Sequence, residues 1–182
     1  MILDATAGNR SMWTHKNSKN IIYIDIEKQL WNKPTIYADC TQTPFKDKTF
    51  NVIFFDPPHD WGAEPFDFEM SKFLKSRQWG KTYPFQFTYY GWDKYKTKQE
   101  LIVFIYKAQK EFYRILKDDG LLLVKWCEVK IPKNRFLAIF ENWRLLMELP
   151  IGDPTHTWGE YQTYWFIMEK KEQPTADLLS YQ

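Results

Sequence analysis

The chain has 182 residues, with 25 lysines and arginines against 23 aspartates and glutamates, a length typical of one domain. The formal net charge of +2 does not by itself indicate a polyanionic partner, and two cysteines are too few for a disulfide scaffold. No apolar run approaches the roughly 20 residues of a membrane span, and the N-terminus lacks the cationic flank of a signal peptide, so we expect a cytoplasmic protein without a membrane segment. Nine tryptophans exceed what one core of this size needs, which predicts that some line a binding surface.

Short apolar runs bounded by polar turns predict seven strands, most of them apolar on both faces. In chain order they are Met1–Ala5, Ile21–Ile26, Thr35–Ala38, Asn51–Asp56, Leu121–Trp126, Arg144–Leu149 and Tyr164–Met168. Helices are predicted directly after Arg10, over Thr97–Lys117 and from Pro132 to about Asn142. Strands that alternate with helices indicate an α/β fold with a parallel sheet.

The clearest helix is the one over Thr97–Lys117. Thr97 and Glu100 have the spacing of a capping box, and Gly120 is expected to cap the far end. The apolar residues then recur on one helical face, at Leu101, Ile105, Ala108, Phe112 and Ile115.

About forty residues, 57–96, separate the fourth strand from this helix, and a connection of that length is usually functional. Residues 71–98 carry seven lysines and arginines against one acid, and nine aromatic residues lie among them. Cations interleaved with rings suit a strand of nucleic acid, whose phosphates need charge and whose bases stack. A hairpin that packs on the main sheet is the alternative, since Phe85–Tyr89 alternates like a strand.

Three strands end in an acid: Asp4, Asp25 and Asp39. Small residues, Ala5 to Gly8, follow the first of them and allow close approach of a ligand to the backbone. An acid at the end of the second strand can accept hydrogen bonds from ribose hydroxyls. Because parallel strands end at one edge, these acids predict a site for a nucleoside-containing cofactor, although a dinucleotide fingerprint is absent.

The fourth strand runs into Asp56-Pro57-Pro58-His59. Together with the three acids, this motif resembles those of class I S-adenosylmethionine-dependent methyltransferases, and specifically the amino-methyltransferases that act on adenine N6 or cytosine N4. Further segments resemble small methyltransferase-like proteins of bacteria and phages: Tyr90-Gly91-Trp92, Arg114 to Gly120, Val124-Lys125-Trp126 and Thr163-Tyr164-Trp165.

The resemblance implies one methyltransferase domain over residues 1–182, with a Rossmann-like, mostly parallel seven-stranded sheet whose last strand is antiparallel. It implies S-adenosylmethionine as cofactor and DNA or RNA as partner, with no metal. The implied cofactor contacts are Asp4, Ala5, Thr6, Ala7 and Gly8 for the methionine part, Asp25 with Ile26 for the ribose side, Asp39 with Cys40 for the adenine edge, and Asp56. The implied substrate contacts are Trp61, Lys81, Tyr89, Tyr90, Trp92 and Trp126.

The motif suits methylation of a base amine, which is a poor nucleophile because its lone pair is delocalised into the ring. The Asp56 carboxylate and the Pro57 carbonyl are two acceptors for the N–H groups, and the two prolines stiffen the turn that carries them. His59 stands where the family has an aromatic residue that stacks on the flipped base. An imidazole stacks less extensively, and it can also move a proton.

Lys125 supports an alternative, because ribose 2′-O-methyltransferases use a lysine at a similar place with an aspartate on the fourth strand. The family also uses a lysine at or before the first strand, which this sequence does not show. A structural role for Lys125 is equally compatible with its position. A module that binds cofactor or RNA without turnover is the other alternative. We also expect that the tail 172–182 or a second subunit covers the first strand, which favours a homodimer.

Overall fold

The computed structural model describes residues 1–28, 30–62, 94–151 and 161–171. The strands within these ranges are β1 (Ile2–Asp4), β2 (Ile21–Asp25), β3 (Ile36–Tyr37), β4 (Phe50–Phe55), β5 (Leu116–Cys127), β6 (Trp143–Ile151) and β7 (Thr163–Lys170). The helices in the same ranges are α1 (Lys98–Ile115) and α2 (Lys133–Leu137). Neither described helix combines the length and apolar character needed to cross a membrane.

The strands form one seven-stranded sheet in the order β3-β2-β1-β4-β5-β7-β6. Neighbouring strands from β3 through β5 pair in parallel, whereas β7 is antiparallel to both β5 and β6. The predicted α/β sheet with an antiparallel last strand is therefore confirmed. Asp4 lies beside Tyr23 of β2 and Phe54 of β4, so the carboxyl ends of these three strands meet at one edge.

The amphipathic helix α1 is confirmed with its predicted N-terminus. Thr97 accepts a hydrogen bond from the Glu100 backbone N–H at 3.2 Å, and the Glu100 carboxylate accepts one from the Lys96 backbone N–H. The predicted apolar face is buried, and the Phe112 ring lies 4.9 Å from the Phe55 ring of β4. This packing fixes α1 against the centre of the sheet.

The predicted end of this helix is wrong. α1 ends at Ile115 and β5 begins at Leu116, so Gly120 lies within β5 rather than at a helix cap. Phe50 pairs with Leu116 but Val52 pairs with Leu121, and residues 117–120 bulge out of the ladder. A Cβ on Gly120 would lie 2.7 Å from the Leu116 side chain and 2.9 Å from the Asn51 carbonyl oxygen. The glycine is needed for close approach.

The predicted helix after Arg10 is also wrong, because residues 11–20 form turns and bends. Arg10 organises this loop: its guanidinium donates to the carbonyl oxygens of Lys16 and Lys33 and to Asn17 Oδ1, and lies 4.0 Å from the centre of the Tyr23 ring. Tertiary contacts of one cation therefore replace the helix. α2 is shorter than predicted and is followed by turns up to residue 142.

Alternate strand residues point to two different faces of the sheet. The helix face, defined by Ile53, Phe55, Val124 and Phe166, is fully buried beneath α1 and α2. The opposite side, which we call the loop face, is defined by Asp4, Phe54, Lys125 and Trp165. There the Trp13 ring of the loop packs 4.9 Å from the Phe54 ring, and Phe54 lies 5.9 Å from Trp165.

Candidate functional site

A cavity of about 290 Å³ opens at the carboxyl ends of β1, β2 and β4. This volume is near the lower end of the range for small-molecule pockets, roughly 300–1,000 Å³. The predicted cofactor residues that line it are Ala5, Thr6, Ala7, Gly8, Asp25, Ile26, Asp39, Cys40 and Asp56. Asp4 is the predicted cofactor residue that lies elsewhere.

The turn after β1 is fixed from both sides. Gly8 has a φ of +48°, and its N–H donates to Asp25 Oδ2 at 2.8 Å. The Thr6 hydroxyl accepts from the Asp56 N–H at 2.9 Å. The turn is therefore tied to β2 and to β4, and the space beside Gly8 is open because no atom lies within 4 Å of the place where a Cβ would stand.

Asp25 and Asp39 place two carboxylates at the cavity wall. Asp25 Oδ1 accepts from the Glu27 N–H at 2.8 Å, and Asp39 Oδ1 accepts from the Thr41 N–H and hydroxyl at 2.8 Å. A carboxylate has about four acceptor positions, so both groups retain capacity for ligand hydroxyl or amino groups. Burial raises the pKa of the neighbouring Cys40 thiol well above its usual value, which keeps it neutral.

The structure places Asp4 beneath the turn, out of the cavity lining, although the sequence predicted a cofactor contact for it. Asp4 is fully buried, and its Oδ2 accepts a hydrogen bond from Trp13 Nε1 at 2.7 Å. Burial raises the pKa of Asp4 to about 7, only partly opposed by the hydrogen bond from Trp13. The residue therefore supports the turn from below.

Asp56, His59 and Lys125 form a compact group of ionisable side chains at the carboxyl end of β4. Lys125 Nζ lies 3.0 Å from Asp56 Oδ2, and His59 Nε2 lies 3.3 Å from Asp56 Oδ1. Burial alone would raise the pKa of Asp56, but the contacts with His59 and then Lys125 outweigh it and lower the pKa below its ordinary value. The carboxylate is thus ionised at neutral pH.

The two prolines and the histidine of the motif occupy different positions. All three are buried, but of the three only Pro58 lines the cavity, beside Asp56. The His59 ring meets the Trp126 ring edge-on, with centres 5.2 Å apart. His59 therefore packs against the core beside the acid.

The predicted substrate contacts divide into three groups. Trp61 is half-buried, and Lys130 Nζ lies 4.8 Å from the centre of its ring. Trp126 is fully buried and stacks on Phe136 at 4.0 Å, so the structure places it in the core, at odds with a substrate contact. The remaining contacts lie outside the described residues: Lys81, Tyr89, Tyr90 and Trp92.

Sequence reasoning missed part of the cavity wall. Trp31 lines the cavity with 61% of its surface exposed, next to Asn32. Asn9 Oδ1 accepts from the backbone N–H groups of Trp31, at 2.8 Å, and of Asn32, at 3.3 Å, which joins this rim to the turn after β1. The sequence prediction was based on acids and small residues at the ends of strands. Trp31 and Asn32 were missed because they lie within the connection that follows β2.

From the side of α1, the cavity wall is completed by Tyr95 and Phe104, whose rings lie 5.0 Å apart. Within the described ranges, no group of three or more histidine, cysteine, aspartate or glutamate side chains could hold a metal ion.

No family model matches the chain, and no curated protein matches it. Solved structures do match. The PH0226 protein from Pyrococcus horikoshii OT3 is 14% identical, with a TM-score of 0.58 over 93% of this chain and 81% of its own. A putative type 11 methyltransferase from Sulfolobus solfataricus is 14% identical, with a TM-score of 0.53 over 96% and 86% of the two chains.

A third match is the 1,6-didemethyltoxoflavin-N1-methyltransferase from Burkholderia thailandensis, which was crystallised with 1,6-didemethyltoxoflavin and S-adenosylhomocysteine. It is 10% identical, with a TM-score of 0.55 over 94% of this chain and 71% of its own. At these identities the likeness concerns the fold. The chain has the Rossmann-like fold of S-adenosylmethionine-dependent methyltransferases.

Proposed function

We propose that this protein transfers a methyl group from S-adenosylmethionine to an exocyclic amine of a base in DNA or RNA. The observation that carries the proposal is the Asp56 carboxylate, which is ionised, almost completely buried and part of the cavity wall. An anionic acceptor beside a cofactor cavity, at the end of β4, is what an amine N–H needs for its orientation.

The described residues fit the cofactor. Asp25 and Asp39 offer acceptors for the ribose and the adenine, and Gly8 leaves room for the methionine part. The bound cofactor would supply an electrophilic methyl group on sulfur. The putative methyltransferase from Sulfolobus solfataricus and the toxoflavin-type enzyme share the fold, and the latter was crystallised with the demethylated form of this cofactor.

Asp56 would act on the substrate amine. Lys125 Nζ at 3.0 Å and His59 Nε2 at 3.3 Å take two of the roughly four acceptor positions of the carboxylate, so acceptor capacity is left for an N–H of the base. Holding that N–H turns the nitrogen lone pair out of conjugation and toward the methyl group. On transfer the nitrogen–carbon bond would form as the carbon–sulfur bond breaks, with the electron pair left on sulfur. The nitrogen would then lose one proton, for which Asp56 is a nearby acceptor.

The proposed nucleic-acid partner is supported mainly by the composition of residues 71–98, and less by contacts in the structure. The basic and aromatic residues of 71–98 fall largely outside the described part of the chain. At its described end, Lys94 and Tyr95 line the cavity, so this segment reaches the site. A cation and a ring in the cavity wall suit a nucleotide phosphate and base.

The Lys125–Asp56 contact of 3.0 Å favours a second candidate, methylation of a ribose 2′-hydroxyl in RNA. In that reaction Lys125 would polarise or deprotonate the hydroxyl while Asp56 fixes the ammonium group. The amine route remains our choice because Lys125 as an ammonium ion is a poor base, and the Asp56 carboxylate beside it favours the charged form.

The test is incubation with isotope-labelled S-adenosylmethionine and separate pools of DNA and RNA, followed by nucleoside analysis. We expect label on a base amine. Asp56→Ala should reduce transfer at least about 100-fold, because it removes the only anionic acceptor assigned to the amine. Affinity for the cofactor, measured by calorimetry, should change by no more than about threefold, under 1 kcal/mol.

Asp119→Ala is the matched control, since Asp119 is an exposed acid of β5 away from the cavity. Label on the ribose hydroxyl, abolished by Lys125→Met, would replace the proposal with the second candidate. Full transfer by the Asp56→Ala protein would contradict both.

A further inference from the structure

We propose that His59 is a positioning residue that acts through Asp56, holding its carboxylate in place, rather than a residue that stacks on the substrate base. This inference rests on the proposed function for its catalytic meaning. The resemblance to amino-methyltransferases gives this position of the motif an aromatic residue that stacks on the base. The structure of this chain gives the imidazole a different environment.

The first argument is burial. His59 is only 7% exposed, and its ring lies edge-on against Trp126. Trp126 is itself fully buried, stacked on Phe136 and hydrogen-bonded from Nε1 to the Ile131 carbonyl oxygen at 3.0 Å. A ring this buried, which is also absent from the cavity lining, leaves little surface for stacking on a base in the cavity.

The second argument is the orientation of the imidazole. Its Nε2 faces Asp56 Oδ1 at 3.3 Å, and an ionised carboxylate can only accept. The proton must therefore be on Nε2, whether the ring is neutral or charged. Nδ1 is buried and has no hydrogen-bond partner among the described residues, so the contact with Asp56 is what fixes the tautomer.

The third argument is charge balance around Asp56. The ionisable groups facing it are His59 from the same turn, Lys125 from β5 and Asp4 from β1, whose own pKa is raised partly by Asp56. Lys125 and His59 contact different oxygens of the carboxylate. Because burial favours a protonated acid, losing His59 leaves Lys125 as the cation among the described residues that keeps Asp56 ionised.

A pair of variants separates positioning from stacking. His59→Phe keeps a ring against Trp126 but removes the nitrogen that faces Asp56, whereas His59→Gln keeps an N–H donor. We expect His59→Phe to move the acid limb of the pH profile of kcat/KM upward by about one pH unit, which is a tenfold loss of rate on that limb. His59→Gln should recover part of this shift.

Three kinetic outcomes would overturn the inference. An unchanged pH profile in both variants would mean that His59 only fills space. A lower KM for nucleic acid in the phenylalanine variant, without a shift in pH dependence, would show stacking on the base. Equal losses in both variants at every pH would show that His59 itself carries a proton.

Nuclear magnetic resonance supplies a readout that needs no enzymatic activity. With ¹³C-labelled aspartate, the Asp56 carboxyl should titrate at a higher pH in the His59→Phe protein than in the unsubstituted protein. The ¹⁵N shifts of His59 in the unsubstituted protein should report a proton on Nε2, and a neutral ring protonated on Nδ1 would overturn the inference even if neither variant folds. Absence of any methyl transfer, with both NMR results as expected, would reject the proposed function alone.

Discussion

The two faces of the sheet are built from the same strands but from opposite kinds of chemistry. On the helix face, Ile53 and Phe55 of β4 are fully buried against apolar side chains. On the loop face, Phe54 of β4 is followed two residues later by Asp56, and Asp4 of the neighbouring β1 lies beside Phe54. None of the described helices lies above this face. Burying an ionisable side chain lowers the stability of the folded protein. The sheet can accommodate such residues on its loop face because apolar packing on its helix face offsets this loss. The two predictions with the largest expected effects concern the sheet core, and the next two concern the polar edge of the sheet.

Phe112→Ala should have the largest effect, because Phe112 is fully buried against Phe55 on the helix face. We expect the free energy of unfolding to fall by about 3–5 kcal/mol, measured by urea denaturation. Val103→Ala, at an exposed position of the same helix, should change it by no more than about 0.5 kcal/mol. Similar losses from both substitutions would show that α1 contributes little to the core through its buried face.

Gly120→Ala should cost about 1–3 kcal/mol of unfolding free energy, since the new Cβ would clash with Leu116 and with the Asn51 backbone oxygen. The same denaturation assay applies. Asp119→Ala, one residue earlier and exposed, is the control. A neutral result for Gly120→Ala would mean that the bulge in β5 relaxes freely.

Asp4→Asn tests whether this buried acid of the loop face makes the stability of the protein depend on pH. The pKa of Asp4 is raised to about 7, so between pH 4 and pH 7 the folded protein retains a proton that the unfolded chain has released. Stability from this residue should therefore be greatest at low pH and decline as the pH rises through 7, by at most about 1.4 kcal/mol per pH unit. Asparagine still accepts from Trp13 and does not ionise. Thermal melts at pH 5 and pH 8 should show a smaller decline for Asp4→Asn, and an identical decline would contradict the assignment.

Asp25→Asn should have the smallest effect of the four, on ligand binding. One acceptor for the Gly8 N–H is retained while the charge is lost, so we expect the affinity for S-adenosylmethionine to fall about tenfold. Calorimetry measures this, with Asp119→Asn as the control. Unchanged affinity would mean that Asp25 only fixes the turn and does not contact the ligand.

The parts of the fold that have a strong local pattern in the sequence were predictable from it. Continuous apolar runs located the strands. Because parallel strands end together, three of the acids at their ends line one cavity, Asp25, Asp39 and Asp56, whereas Asp4 lies beneath it. The turns after Arg10 were not predictable in the same way, since they depend on a cation that contacts Tyr23 from another strand. Trp126 was assigned to a substrate surface, yet it follows Lys125 in a strand, where neighbours point to opposite faces. With Lys125 beside Asp56, Trp126 belongs to the core.

Arg10 joins distant parts of the rim around the cavity, because one guanidinium contacts the carbonyl oxygens of Lys16 and Lys33 as well as the Tyr23 ring. A loop anchored by two side chains, Arg10 and Trp13, can open as a unit without unfolding the sheet. The amide hydrogens of residues 11–20 should then exchange with solvent faster than those of α1, and removing this cation should widen the difference while the sheet amides remain protected.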